Sequence, residues 1–175
     1  MTTGSHTAAM LRPKNTIIDI TSIDLTGHFA SREAISKQNP HRFEMALLDE
    51  VVWASADLKP GVAVWRVRPD EFWIRGHFPQ KPLLPGVLMV EAGAQLSVFL
   101  YNSRYPVPKL CGFTHISDCS FRSQVQPGDV FYLVTDEIKA SDRRFNSRVQ
   151  GFVRDRIVFD AIVEGISLGP ANTLS

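Results

Sequence analysis

The sequence predicts an α+β protein in which an antiparallel sheet wraps one long buried helix. Three observations lead there. An almost wholly apolar run over residues 85–102 opens on Pro85-Gly86, and up to Ser103 its only charge is Glu91. On both sides of it lie segments with the alternation and β-branched content of strands. Short connections rich in turn residues join these segments, as neighbouring antiparallel strands require.

Taken in order, residues 1–14 are small and polar, and a tail is expected over 1–15. They lack the continuous apolar core of a signal peptide. Residues 16–29 alternate weakly as IIDITSIDL and are expected to form a short strand or an extension lying over the core. Ser31, with Glu33 two residues on, predicts a capped short helix that ends near Asn39-Pro40, because a residue before proline is pushed out of the helical region. His28 and His41 flank this helix, and each is assigned a structural role. Residues 45–56 and 62–67 read as strands joined by Lys59-Pro60-Gly61, a hairpin signal. Within the first strand Asp49 and Glu50 point to opposite faces and do not form a carboxylate pair. Phe72 and Trp73 are packing residues leading into a loop that carries His77.

The helix follows. Pro85, with its fixed φ and missing donor, suits a first helical turn. A helix apolar all round is buried, and Glu91 and Gln95 in its middle argue against a membrane span. Residues 105–108 form a linker. Strands are then expected over 110–122, 130–140, 145–154 and 157–167, with turns at 127–129, 141–142 and 155. One domain over 16–168 results, with a short tail over 169–175.

Composition narrows the function. With 175 residues and 44% hydrophobic content the chain has a substantial core. A formal charge of +1 argues against broad nucleic-acid binding. Cys111 and Cys119 have no partnering CxxC or histidine cluster, so buried free thiols in a reducing cytoplasm are expected. The residues show no metal constellation, nucleotide loop or Ser-His-Asp pattern.

The chemistry concentrates in residues 76–95, GHFPQKPLLPGVLMVEAGAQ. Burial penalises the charged carboxylate and is expected to push the pKa of Glu91 upward. Gln95, four residues on, shares its helix face and is placed to hold it. Gly86 lies at the helix N-terminus, where free N–H groups and the missing side chain suit a ligand carbonyl. His77, in a proline-pinned loop, is the natural general base. Singly, a loop histidine is more often structural and a lone helix glutamate more often solvated or paired. The ordering of the whole pattern is what points to catalysis.

Gly76-His77-Phe78-Pro79, Leu84-Pro85-Gly86-Val87-Leu88, Glu91-Ala92 and Ala94-Gln95 together resemble the signature of the FabZ and FabA 3-hydroxyacyl-(acyl carrier protein) dehydratases. Pro40-His41-Arg42 and Gln126-Pro127-Gly128-Asp129 resemble two flanking elements of that family, so the likeness spans residues 31–168. It implies a hotdog fold, an antiparallel sheet around a long central helix, whose protomers pair into dimers with active sites at the interface. Further assembly into trimers of dimers is left open. It also implies that His77 acts from one protomer and Glu91 from the other, with Gly86 N–H on the thioester carbonyl and Gln95 supporting the acid. No cofactor is needed.

The expected reaction is reversible loss of water from a 3-hydroxyacyl thioester in fatty acid biosynthesis. Val87, Val90, Phe99 and Phe121 are the candidate residues lining an acyl tunnel. The substrate would arrive on acyl carrier protein, an acidic partner that a basic rim of Arg104, Lys109, Arg122, Arg143, Arg144 and Arg148 would suit. Glutamate rather than aspartate at position 91 resembles FabZ more than the isomerising FabA. Two positions depart from the family, which often has glycine where Gln80 stands and methionine where Gly93 stands. Two alternatives remain: a hotdog acyl thioesterase, or a non-catalytic relative that binds an acyl group or its carrier.

Overall fold

The computed structural model describes residues 13–171. It contains strands β1 (Ala30–Ser31), β2 (Glu50–Ala54), β3 (Gly61–Arg66), β4 (Lys109–Phe121), β5 (Val130–Ala140), β6 (Arg144–Val153) and β7 (Arg156–Pro170), with helices α1 (Arg32–Gln38) and α2 (Gly86–Asn102). The strands form one sheet in the order β1-β2-β3-β5-β6-β7-β4, antiparallel at every step. Consecutive strands are neighbours except around β4: the helix-bearing connection after β3 carries the chain to the far edge, where β4 pairs with β7, and residues 122–129 bring it back to β5 beside β3.

The inner face of the sheet wraps α2. From Met89 to Asn102 every helix residue except Glu91 is buried, as an all-round apolar helix demands. Trp65, Phe131, Phe159, Val149 and Val163 of the sheet pack with Leu96, Phe99 and Leu100 of the helix. Ser97 Oγ, the hydroxyl facing the sheet at the centre, bonds Thr135 Oγ1 at 2.7 Å and so leaves no orphaned buried group.

The outer face has its own cover. Residues 16–29 contain no strand; they run as turns across the sheet. Ile20, Ile23 and Leu25 are buried on Val52, Val62, Val64, Tyr132, Val134 and Phe152. Ile17 N–H donates to Gln150 Oε1 at 3.1 Å. This extension lies over the back of the sheet, so the IIDITSIDL alternation reflects burial of its apolar side chains without ladder pairing.

Other boundaries also move. The strand expected over 45–56 begins only at Glu50, because residues 43–45 form a 3-10 turn and the backbone at Met45 and Leu47 bonds to the Gln95 amide instead of a neighbouring strand. Asp49 accepts from Arg32 and Arg68, and Glu50 pairs with Arg66 and His28. Different side chains thus engage the two carboxylates. Ser31 caps α1, its Oγ accepting from Ala34 N–H at 3.4 Å, and α1 ends at Gln38. At the other end β7 reaches Pro170, into the segment expected to be a tail. Most of the expected N-terminal tail, residues 1–12, and residues 172–175 lie outside the described part.

Candidate active site

Glu91 sits in the second turn of α2 with its side chain only 19% exposed. Gln95 holds it. The Gln95 amide donates to Glu91 Oε1 at 2.9 Å and to the Met45 carbonyl at 2.8 Å, while its own oxygen accepts from Leu47 N–H at 3.2 Å. Each polar atom of that buried amide is therefore used, which fixes its rotamer and the carboxyl beside it.

A second donor reaches the same oxygen. His41 Nε2 lies 3.1 Å from Glu91 Oε1. The structural role expected of His41 thus extends to the carboxylate, and the Pro40-His41-Arg42 element is the sequence signal for it. The loop is steered there by Asn39, whose N–H closes α1 on the Ile35 carbonyl at 2.8 Å and whose Nδ2 donates to the Gln95 carbonyl at 2.8 Å.

The expected rise in the Glu91 pKa is overturned. Burial acts to raise it and is the largest single influence. The hydrogen bonds from His41 and Gln95, with the charge of His41, together outweigh it and hold the carboxyl below its ordinary value. The upward expectation counted desolvation and missed the second donor.

His77 is positioned by backbone. Its N–H donates to the Trp73 carbonyl at 2.8 Å and its carbonyl accepts from Leu83 N–H at 3.0 Å. Nδ1 lies 2.9 Å from the Leu83 carbonyl, an acceptor only, so Nδ1 carries the proton and Nε2 presents the lone pair. The ring stacks on Phe78, centroids 4.1 Å apart. Gln80 is exposed at the tip of a narrow turn in which Phe78 and Lys81 exchange backbone hydrogen bonds. Trp73 is buried and anchors the loop, whereas Phe72 is 48% exposed. Among the described residues no hydrogen bond or ion pair joins His77 to Glu91.

Gly86 opens α2 after the Pro85 cap, and its N–H is among the first that a helix leaves unpaired. A Cβ there would come within 2.7 Å of the Phe121 ring. Phe121 thus lies over the helix start. Of the other expected tunnel residues, Val87 is 74% exposed, while Val90 and Phe99 are buried in the core. The cavity beside Glu91, about 50 Å³, is lined instead by Ala94, Val98, Cys111, Gly112, Phe113 and Phe145, with His41 and Gln95 at the carboxylate.

Both cysteines are free thiols; Cys111 is half-buried, and Cys119 is exposed where burial was expected. Burial pushes the Cys111 thiol up to about 11, which leaves it unionised at neutral pH. Most of the supposed basic rim is neutralised. Arg104 pairs with Glu137, Lys109 with Asp142, Arg122 with Asp160 and Arg148 with Asp136. Among the described residues no group of three His, Cys, Asp or Glu side chains is arranged to hold a metal, and no helix is long and apolar enough to cross a membrane.

A sheet wrapped around a helix that carries a braced, largely buried carboxylate defines a hotdog-fold protein. The fold has a counterpart in the dehydratase heterocomplex ApeI:P from Xenorhabdus doucetiae, with a TM-score of 0.67 at 15% identity over 79% of this chain and 92% of that one. The family model for the FabA-like domain matches residues 39–162, and the chain belongs to that family. It is 31% identical to the 3-hydroxyacyl-[acyl-carrier-protein] dehydratase FabZ of Protochlamydia amoebophila, over 70% of this chain and 79% of the relative. It is 42% identical to the FabZ of Alkaliphilus metalliredigens, over 57% and 67%.

Proposed function

We propose that the chain catalyses reversible dehydration of 3-hydroxyacyl thioesters, delivered on acyl carrier protein, to trans-2-enoyl thioesters in fatty acid biosynthesis. The observation that carries this is a braced carboxylate on the wall of an apolar cavity, in a member of the FabA-like family whose relatives bear that activity in their names.

The chemistry follows from the site. Gly86 N–H, at the positive end of α2, polarises the thioester carbonyl and stabilises enolate-like charge. His77 Nε2 takes the proton at C2. With Oε1 occupied by His41 and Gln95, Glu91 turns Oε2 to the 3-hydroxyl and accepts its hydrogen bond. As the C3–O bond breaks, the proton held by His77 leaves with the hydroxyl as water, and charge balances without a cofactor.

The active species is read as a dimer in which His77 and Glu91 of one site come from different protomers. Two features favour this. No direct bond joins the pair within the described chain, and β4 is an end strand with Phe113, Ile116 and Phe121 half exposed. Such an edge suits pairing with a second copy. The expected compartment is the cytoplasm.

The test is hydration of a trans-2-enoyl thioester, followed by loss of the conjugated absorbance, beside His77→Ala and Glu91→Ala. Each variant is expected to lose about 10²- to 10⁴-fold in turnover while staying folded. Near wild-type turnover in Glu91→Ala overturns the assignment; release of free thiol without hydration would make the chain a thioesterase.

A further inference from the structure

We infer that His41 is a positioning residue for Glu91: it donates from Nε2 to Oε1, holds the carboxylate ionised, and leaves Oε2 as the oxygen that meets the substrate hydroxyl. The inference deepens the dehydratase reading and rests on it.

Three observations carry it. First, His41 Nε2 and Gln95 Nε2 converge on one carboxylate oxygen, at 3.1 and 2.9 Å. A carboxylate that receives both donors on Oε1 has one orientation, and among the described residues nothing bonds Oε2. Second, His41 Nδ1 is buried with no partner among the described residues. Nε2 is thus the engaged ring nitrogen, and because a carboxylate oxygen only accepts, Nε2 bears a proton and donates to Glu91. Third, His41 lies where α1 and the 3-10 turn meet α2, and it lines both the cavity beside Glu91 and a small void with Arg32, Ile35, Asn39 and Gln95. Its ring therefore bridges the helix and the wall of the cavity.

The charged and titratable groups around the pair are few. Arg42 is turned to the carbonyls of Asn39 and His41, Arg32 is engaged by Asp49 and the Ala46 carbonyl, and Cys111 of β4 faces the cavity as a thiol. From β6 the cavity receives Phe145, which is apolar. Among the described residues no Lys or Arg side chain is paired with Oε1, so removing His41 leaves burial opposed by Gln95 alone.

The experiment compares wild type, His41→Ala and His41→Gln by ¹³C NMR titration of the labelled glutamate carboxyls, with Glu91 assigned from its loss in Glu91→Gln, and by steady-state hydration kinetics. In His41→Ala the Glu91 midpoint is expected to move to higher pH, and kcat to fall by about tenfold to a hundredfold, the worth of a hydrogen bond to a charged group, with KM little changed. His41→Gln retains an Nε2–H donor and should recover most of both. An unmoved midpoint in a folded His41→Ala protein overturns the inference, as does kcat equal to wild type. Should the wild type fail to hydrate any enoyl thioester, the dehydratase reading falls while the NMR titration still decides whether His41 holds Glu91 ionised.

Discussion

Glu91 is a compromise between two opposed effects. Burial favours its neutral form; two donors on one oxygen favour the anion, and the anion prevails. The linkage has a definite sign. A carboxyl whose folded-state pKa lies below its ordinary value, 4.5 here, contributes stability above that pH and loses it as pH falls through the folded value. Glu91→Gln, which mimics the protonated form, should be less stable than wild type at neutral pH, and the gap should close in acid. Chemical denaturation at pH about 7 and about 3 measures it. A gap that widens in acid would contradict the balance described.

At this scale the sequence was partly legible. The spacing of Glu91 and Gln95 by four residues foretold their hydrogen bond, because helix geometry is local. His41 is fifty residues from Glu91 in the chain, and no periodicity connects a loop after α1 to the second turn of α2. The direction of the Glu91 shift depended on that long-range contact and was missed with it.

Among the elements, α2 was the most legible. Its all-round apolar surface foretold a helix over 85–102, and it forms over Gly86–Asn102 with Pro85 as the cap. β5 stands where alternation put it, at Val130–Ala140. The strand expected from residue 45 failed because Gln95 captures backbone groups that a ladder would have used. Gly93, where the family often has methionine, has a packing reason: a Cβ there would lie 2.9 Å from Val149 Cβ, so α2 sits too close to β6 for a side chain. Gly93→Met should cost about 1–3 kcal/mol or more, read as a lower denaturation midpoint. A neutral result would mean that α2 can move off the sheet freely.

The extension over residues 16–29 contributes at the same scale. Its Ile20 is fully buried against the outer face of the sheet. Ile20→Ala should destabilise by about 2–5 kcal/mol while leaving hydration per folded molecule unchanged. Its weak alternation suits a short strand or an extension equally, and the apolar outer face of the sheet is what decides for the extension.

For the molecule as a whole, the long edge of β4 is proposed to pair with a second copy. Its exposed Phe113 and Ile116 would then be covered by the partner. Ile116→Lys should yield a folded monomer by sedimentation, with hydration lost alongside the dimer; a fully active monomer would refute shared sites. The measurement that bears most directly on the central claim mixes two inactive proteins. His77→Ala and Glu91→Ala protomers, unfolded and refolded together, form mixed dimers in about half of cases, each with one intact site. Hydration of the enoyl thioester is expected to return to about a quarter of the wild-type rate, as that random pairing requires. No recovery, in mixtures shown to contain mixed dimers, would contradict a dehydratase site built from His77 of one protomer and Glu91 of its partner.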